Sequence, residues 1–284
     1  MTRIVTINQK QGYFKCVYIR FFQNNESLYG DNIILKMGDT KVKVVFFDLG
    51  FTLINFEGDF HEVMTESYLA LARSLISAGC QLREQDFAAK YNEIITSYYQ
   101  CREIDLIERP VEESLRNTLA FFGQDHIPVA IMEKAIANMF GVTESYWSIE
   151  SDTHDTLQQL ISKGFQLGLI SNASNTPDLN RLIDRHDLRK YFECVIISAE
   201  EKIRKPDSRI FQRALNRMGV NPENAVMVGD TLTADILGAQ QAGMRGIWIT
   251  RRAQRPENLD AINRITPDRT IPDLSSLVSV IDKL

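Results

Sequence analysis

Short apolar runs, each stopped by a polar residue, recur along this chain. Val44-Val45-Phe46-Phe47 stops at Asp48, Leu167-Gly168-Leu169-Ile170 stops at Ser171, and Ala225-Val226-Met227-Val228-Gly229 stops at Asp230. Unbroken runs of this length predict strands covered on both faces, as in the middle of a parallel sheet. Residues 194–198 and 246–250 predict two further strands. Between them, apolar residues return at helical spacing over 153–163, 177–187, 208–218 and 234–242. Gly164, Gly219 and Gly243 close three of these helices. Strands separated by helices at this spacing imply βαβ units and an α/β fold with a doubly wound, Rossmann-like parallel sheet. The tail, 274–284, reads as a surface helix.

The pattern changes from about Gly58 to Tyr146. Val63, Tyr68, Leu71, Leu75 and Ile76, then Phe87, Tyr91, Ile94, Ile95 and Tyr98, follow a helical period without any strand pattern. Gly79, Pro110, Gly123 and Pro128 divide the stretch into about four helices. The predicted organisation is therefore an α/β core of 41–57 and 147–284 carrying an all-helical insert at 58–146. Residues 1–40 mix aromatic and polar positions without sustained period. They read as an N-terminal extension, either unordered or a short hairpin. Nothing in the core pattern needs them, and Met37 stands where that core would start.

Composition narrows the class. With 284 residues, 44% of them hydrophobic, the chain can bury a full core. A net charge of −5 argues against nucleic acid or an anionic membrane as a non-specific partner. No apolar stretch approaches the ~20 residues of a membrane helix. Cys16, Cys80, Cys101 and Cys194 lie far apart without a CxxC, so neither a zinc site nor a disulfide framework is predicted. These features predict a soluble cytoplasmic protein.

In a parallel sheet with right-handed crossovers, the carboxyl ends of the strands share one rim, where ligands bind. That rim would gather Asp48, Ser171, Asp230 and, from the segment after the strand at 194–198, Lys205. A carboxylate, a hydroxyl, an ammonium and a second acid would meet there. Asp48 taken singly can equally cap a turn. Asp235 can equally cap the helix that it opens, and Thr52 can equally close the turn after Asp48. His61, His126, His154 and His186 show no ligand spacing, although His61 lies where the helical insert begins. Arg251, Arg252 and Arg255 read as a solvated basic loop.

The order of these stretches, FFDLGFTL, GLISN, RKPDSRIF and VMVGDTLTAD, resembles the four motifs of the haloacid dehalogenase-like (HAD) superfamily, over roughly residues 41–284. The helical insert is similar to the family's C1-type cap. The resemblance implies a phosphatase that hydrolyses a small phosphorylated metabolite through an aspartyl-phosphate intermediate. Asp48, Ser171 and Lys205 are then catalytic, and Thr52, Ser171, Asn172 and Lys205 bind substrate. Mg²⁺ sits on Asp48, the Gly50 carbonyl, Asp230 and Asp235, the last directly or through water. Substrate choice would come from the cap, with Tyr98, Tyr99, Arg102 and Arg109 as candidates and hinges near 56–59 and 146–151. Neither the substrate nor the oligomeric state is written in these motifs.

One position departs from the family pattern. The residue two after the nucleophile, usually an Asp that protonates the leaving oxygen, is Gly50. An acid–base group in that role contributes ~10²–10⁴-fold. Its loss predicts slow turnover of alkyl phosphates, unless His61 supplies the proton, and better turnover of aryl, acyl or sugar 1-phosphates. It also keeps open a catalytically weak phosphate-binding protein, and the resemblance itself leaves a second alternative, a 2-haloacid dehalogenase-type hydrolase. Such dehalogenases keep a carboxylate matching Asp235 but do not need one at Asp230.

Overall fold

The strand β1, Val44–Phe47, is buried along its whole length and lies in the middle of a six-stranded parallel sheet. The computed structural model describes residues 41–284, and the extension assigned to 1–40 lies outside the described residues. After β1 come β2 (Ile54–Phe56), the helices α1 (Phe60–Ser77), α2 (Glu84–Asp105), α3 (Val111–Phe121) and α4 (Val129–Glu144), and β3 (Trp147–Ile149). Then follow α5 (Thr153–Ser162), β4 (Gln166–Ser171), α6 (Thr176–Arg185), β5 (Cys194–Ile197), α7 (Ser198–Glu201) and α8 (Ser208–Met218). The chain finishes with β6 (Ala225–Gly229), a π-helical turn at Leu232–Leu237, α9 (Gly238–Gln241), β7 (Arg245–Ile249), α10 (Pro256–Leu259), β8 (Arg269–Ile271) and α11 (Leu277–Ile281).

The sheet order is β5-β4-β1-β6-β7-β8. The chain works outward from β1 on one side, then returns to place β6 on the other, so β1 and β6 flank the topological switch point. Side chains of a strand alternate between faces. Val45 and Phe47 enter one apolar cluster with Leu157, Leu160 and Leu179, while Val44 and Phe46 enter another with Ile210, Phe211 and Leu215. Both faces of β1 are therefore covered, as its unbroken apolar run requires. Gly168 of β4 sits where a Cβ would meet the Phe46 ring at 2.6 Å, which is why the apolar run is interrupted there by a glycine.

Helices α1 to α4 bury a separate apolar cluster that includes Leu71, Leu75, Phe87, Tyr91, Leu115 and Met139. Asp59 caps α1, its Oδ1 accepting from Glu62 N–H at 2.9 Å. The two crossings between this layer and the sheet form something the hydrophobic pattern did not predict. Ile54–Phe56 and Trp147–Ile149 pair as an antiparallel ribbon, each strand only three residues long. Period-2 alternation is not readable over so few positions. β8 was missed for the same reason. The tail differs from expectation as well. Its helix spans only Leu277–Ile281, and Leu274, Leu277 and Ile281 are buried against the sheet. No helix among the described residues is long and apolar enough to cross a membrane, and the described cysteines Cys80, Cys101 and Cys194 are free thiols.

A second junction ties the helical layer to the rim of the sheet. Arg204 N–H donates to the Leu106 carbonyl at 3.1 Å and Val111 N–H to the Ser174 carbonyl at 3.0 Å. At its centre is the fully buried carboxylate of Glu108. It accepts from Tyr98 Oη at 2.5 Å and Ser198 Oγ at 3.0 Å, with Arg102 at 3.4 Å and Arg204 at 3.6 Å. Removing one partner from a buried charged network typically costs about 3–5 kcal/mol, because the others stay buried without their counter-ion. Glu108→Ala is expected to lower stability by an amount of that order. Chemical denaturation followed by circular dichroism measures it, and an unchanged midpoint would show that the network adds nothing.

Candidate active site

Four segments converge at the carboxyl edge of the sheet. β1 delivers Asp48, β4 delivers Ser171, β6 delivers Asp230, and the loop before α8 delivers Lys205. Lys205 Nζ donates to Asp48 Oδ1 at 2.7 Å and to Asp235 Oδ1 at 2.6 Å. All three side chains are buried, Lys205 being 2% exposed. The loop is fixed from behind by Asn172. Its Oδ1 accepts from Lys205 N–H at 2.9 Å and its Nδ2 donates to the Lys205 carbonyl at 3.0 Å, so one side chain clamps both backbone groups of the lysine. Gly229 has a similarly local reason. A Cβ there would lie 2.3 Å from Asp235 Oδ2, so only glycine lets that carboxylate fold back under the strand end. Asp235 Oδ2 then accepts from Thr231 N–H at 3.0 Å.

Asp48, Asp230 and Asp235 each place a carboxylate oxygen within 4.8 Å of the others. Crowding of this kind raises carboxyl pKa values. Burial, then the charges of Asp48 and Asp235, push Asp230 up to about 7, against the pull of Arg255 and Lys205. Burial pushes Asp235 to about 6, with Lys205 opposing and Asp48 reinforcing the shift. For Lys205, burial alone would lower the ammonium's pKa, but Asp235 and Asp48 outweigh it and hold it above the ordinary value. The floor of the site thus holds three acids and, counting Arg255, two cations. An all-oxygen cluster with one uncompensated negative charge matches what a hard divalent cation takes.

Several contributors were not visible in the sequence. Arg255 was read as part of a solvated loop, yet its Nη1 donates to Asp230 Oδ2 at 2.7 Å and its guanidinium lies 3.7 Å from the centroid of the Phe51 ring. Arg251 and Arg252 pair with Glu150, and Arg251 also with Asp152. Their partners lie about 100 residues away in sequence, so local charge pattern could not reveal them. Asn258 is fully buried. Its Nδ2 donates to the Asp230 carbonyl at 2.9 Å and its Oδ1 accepts from Leu232 N–H at 2.8 Å, while Trp248 Nε1 donates to the same Asp230 carbonyl at 2.9 Å. Together they hold the Asp230 turn.

The carboxylates open into a cavity of about 810 Å³ between the sheet edge and the helical layer. Asp48, Gly50, Ser171, Asn172, Lys205, Asp230 and Asp235 all line it. Thr52 does not. Its side chain is wholly buried with Oγ1 unpaired, behind the turn rather than in the cavity. His61 is exposed on α1 and is not part of the cavity wall, which leaves it badly placed to replace an acid at position 50. Of the candidates on the helical layer, Tyr99 and Arg102 line the cavity, whereas Tyr98 and Arg109 do not.

Comparison with known proteins decides the family. A profile of the haloacid dehalogenase-like hydrolases matches residues 42–243. The chain belongs to the haloacid dehalogenase-like hydrolases. A glyceraldehyde 3-phosphate phosphatase of Methanothermobacter thermautotrophicus is 31% identical over 84% of this chain and 100% of its own length. A phosphoserine phosphatase of Thermus thermophilus is 42% identical over 39% of this chain and 43% of its own. Among solved structures, a 2-haloacid dehalogenase from Pseudomonas syringae pv. Tomato superposes with a TM-score of 0.61 at 28% identity, covering 85% of this chain and 99% of that one. This HAD-like hydrolase therefore shares its fold with enzymes named for two different reactions.

The raised acids carry a pH signature. A carboxyl whose folded pKa lies above its unfolded value binds its proton more tightly when folded, so the stability it adds is present at low pH and is lost as pH rises through the folded value. Asp230 near 7 and Asp235 near 6 both act in this sense. So does Asp178 on α6, which burial and then the charge of Glu144 push up to about 8. Metal-free protein is expected to melt at a progressively lower temperature from pH 5 to pH 9. Asp178→Asn should remove part of that decline. Differential scanning calorimetry across this range measures both, and a Tm that rises with pH would contradict the electrostatic reading.

Proposed function

We propose that this HAD-like hydrolase is a Mg²⁺-dependent phosphatase of a small phosphorylated metabolite, acting in the cytoplasm through an aspartyl phosphate on Asp48. The observation that carries the reading is the buried trio of Asp48, Asp230 and Asp235 around Lys205. The phosphatases among its relatives support the same reaction class.

Asp48, Asp230, the Gly50 carbonyl and, directly or through water, Asp235 would hold Mg²⁺. The cation supplies positive charge against the phosphoryl oxygens, which otherwise face three carboxylates. The rest follows from the chain's own groups. Lys205 orients the Asp48 carboxylate toward the cavity and offsets part of the dianion's charge. Ser171 donates a hydrogen bond to a phosphoryl oxygen, and Asn172 keeps Lys205 in register. Attack by Asp48 on phosphorus divides one slow displacement into two, formation and hydrolysis of an acyl phosphate. The helical layer acts as a cap that keeps bulk water from the acyl phosphate.

The dehalogenase likeness favours a second reading, in which Asp48 attacks carbon and no metal is required. Asp230 separates the two readings. A third buried acid beside the nucleophile is costly unless a cation joins it. Asp48→Asn should lower the turnover of a generic aryl phosphate by at least about 10³-fold with the fold intact, since it removes the nucleophile but keeps its shape. Excess EDTA should abolish wild-type turnover, and added Mg²⁺ should restore it. Hydrolysis that survives EDTA would dismiss the metal assignment, and halide release from a 2-haloacid would establish the second reading.

A further inference from the structure

Part of the cavity wall carries hydrogen-bond donors that the protein itself does not use. Tyr99 and Arg102, from the last turns of α2, and Arg204, from the loop before α8, line the same cavity as Asp48 and Lys205. A guanidinium has five N–H donors. Arg102 donates only through Nη1, to Glu108 at 3.4 Å, and Arg204 only through Nη1, to Glu103 at 2.7 Å. Each Nη2, like the Tyr99 hydroxyl, has no partner among the described residues and stays open to solvent. The two Nε groups are buried without a hydrogen bond, the acids they face standing at 3.7 Å from Arg102 and 3.6 Å from Arg204. Polar groups in such surroundings are ordinarily paired. Donors left over around a cavity call for a ligand that accepts.

These donors are held in place. The Arg102 guanidinium lies 3.9 Å from the centroid of the Tyr99 ring, a cation–π stack. Burial raises the Tyr99 phenol above its ordinary pKa, with Arg102 and Arg204 opposing the shift and Glu108 reinforcing it, so both guanidinium charges act at that hydroxyl. Nor is the charge balanced locally. The two arginines share one buried carboxylate, Glu108, whereas Glu103 is mostly exposed and screened by water. One positive charge is left over on this wall, the opposite of the three acids and two cations at the floor. The two places are close. The Arg102 carbonyl accepts from Leu106 N–H at 3.0 Å, the Leu106 carbonyl accepts from Arg204 N–H at 3.1 Å, and Lys205 is the next residue.

Resting on the phosphatase reading above, we propose that the substrate carries a carboxylate besides its phosphoryl group, and that Arg102, stacked on Tyr99 and backed by Arg204, receives it. A single carboxylate matches the single surplus charge, which a second phosphate dianion would exceed. Hydrogen bonds from a guanidinium to a carboxylate are charge-assisted and stronger than those to a neutral oxygen. The Tyr99 hydroxyl adds a further donor. The substrate class is thus a short phosphorylated acid, selected over a phosphorylated alcohol of the same shape without the charge.

The test is binding, with turnover as a separate arm. Carboxyethylphosphonate and carbamoylethylphosphonate share a phosphoryl head on a C–P bond that is not hydrolysed, and differ only in acid against amide. Their Kd values, measured calorimetrically on the full chain with excess Mg²⁺, are expected to differ by at least about tenfold in favour of the acid. Arg102→Gln should bring that ratio toward one. General damage to the fold weakens both probes alike and leaves the ratio unchanged. Where the glutamine variant does not fold, Arg102→Lys decides, since it keeps the charge in the junction but loses the stacked fork, and should lower the ratio several-fold. Equal affinities in the wild type, binding of neither probe, or a ratio that survives the substitution would overturn the proposal. A carboxylate that met the cation instead of Arg102 would give that last result. In the second arm, the phosphate ester of hydroxypropanoate is compared with that of hydroxypropanamide. A higher kcat/KM for the acid, lost in Arg102→Gln, supports the site, and equal values count against it. Acid-selective binding without hydrolysis of either ester would sink the phosphatase reading and leave the carboxylate site standing. Hydrolysis without acid selectivity would do the reverse.

Discussion

The ammonium of Lys205 between Asp48 and Asp235 is the contact around which the site is built. Burial alone would discharge this ammonium, and the charges of Asp235 and Asp48 together hold it protonated. Such an arrangement tolerates little displacement. That is why the chain spends so many groups on position rather than chemistry. Asn172 clamps the lysine's backbone, Gly229 makes room for Asp235, and Asn258 and Trp248 pin the carbonyl of Asp230.

The same loop reaches in the other direction. Arg204, next to Lys205, is bound through backbone and side chain to residues 103–108 of the helical layer. The position of the lysine and the seating of the helical layer on the sheet are thus parts of one hydrogen-bonded junction. Any opening motion about the ribbon of β2 and β3 would have to break it, exposing or stranding the Glu108 carboxylate. A motion that does so is tied energetically to Lys205, not merely adjacent to it.

The hydrophobic pattern was enough to place the strands whose ends meet at the cavity. The run ending in Asp48, the one ending in Ser171 and the one before Asp230 are β1, β4 and β6, and parallel pairing brings their ends together as topology demands. Four helices between β2 and β3 were also legible, because each is long enough to show its period. What escaped has a common cause. The three-residue strands β2, β3 and β8 carry too few positions for a period. Arg255 and Asn258 take their meaning from Asp230, more than 20 residues earlier, and no local signal announces that. Trp147, read as the first residue of the returning core, pairs with Phe56 in the ribbon and lies against Gly50. The apolar tail was read as surface because its period spans barely one turn.

Arg255 shows how the charges of the site fit together. Without any ligand, Asp230 has this guanidinium as its counter-ion, and the arginine is held flat on Phe51. A divalent cation arriving at the trio would take over much of that neutralisation. The stack on Phe51 would keep the guanidinium beside the cavity while its hydrogen bond to Asp230 became less necessary. One positive group would then stand free to face an incoming dianion, within a site whose own acids outnumber its cations by one. The positive φ at Phe51, which the backbone alone would disfavour, gains a reason in this light. The ring is the platform that holds the arginine in place.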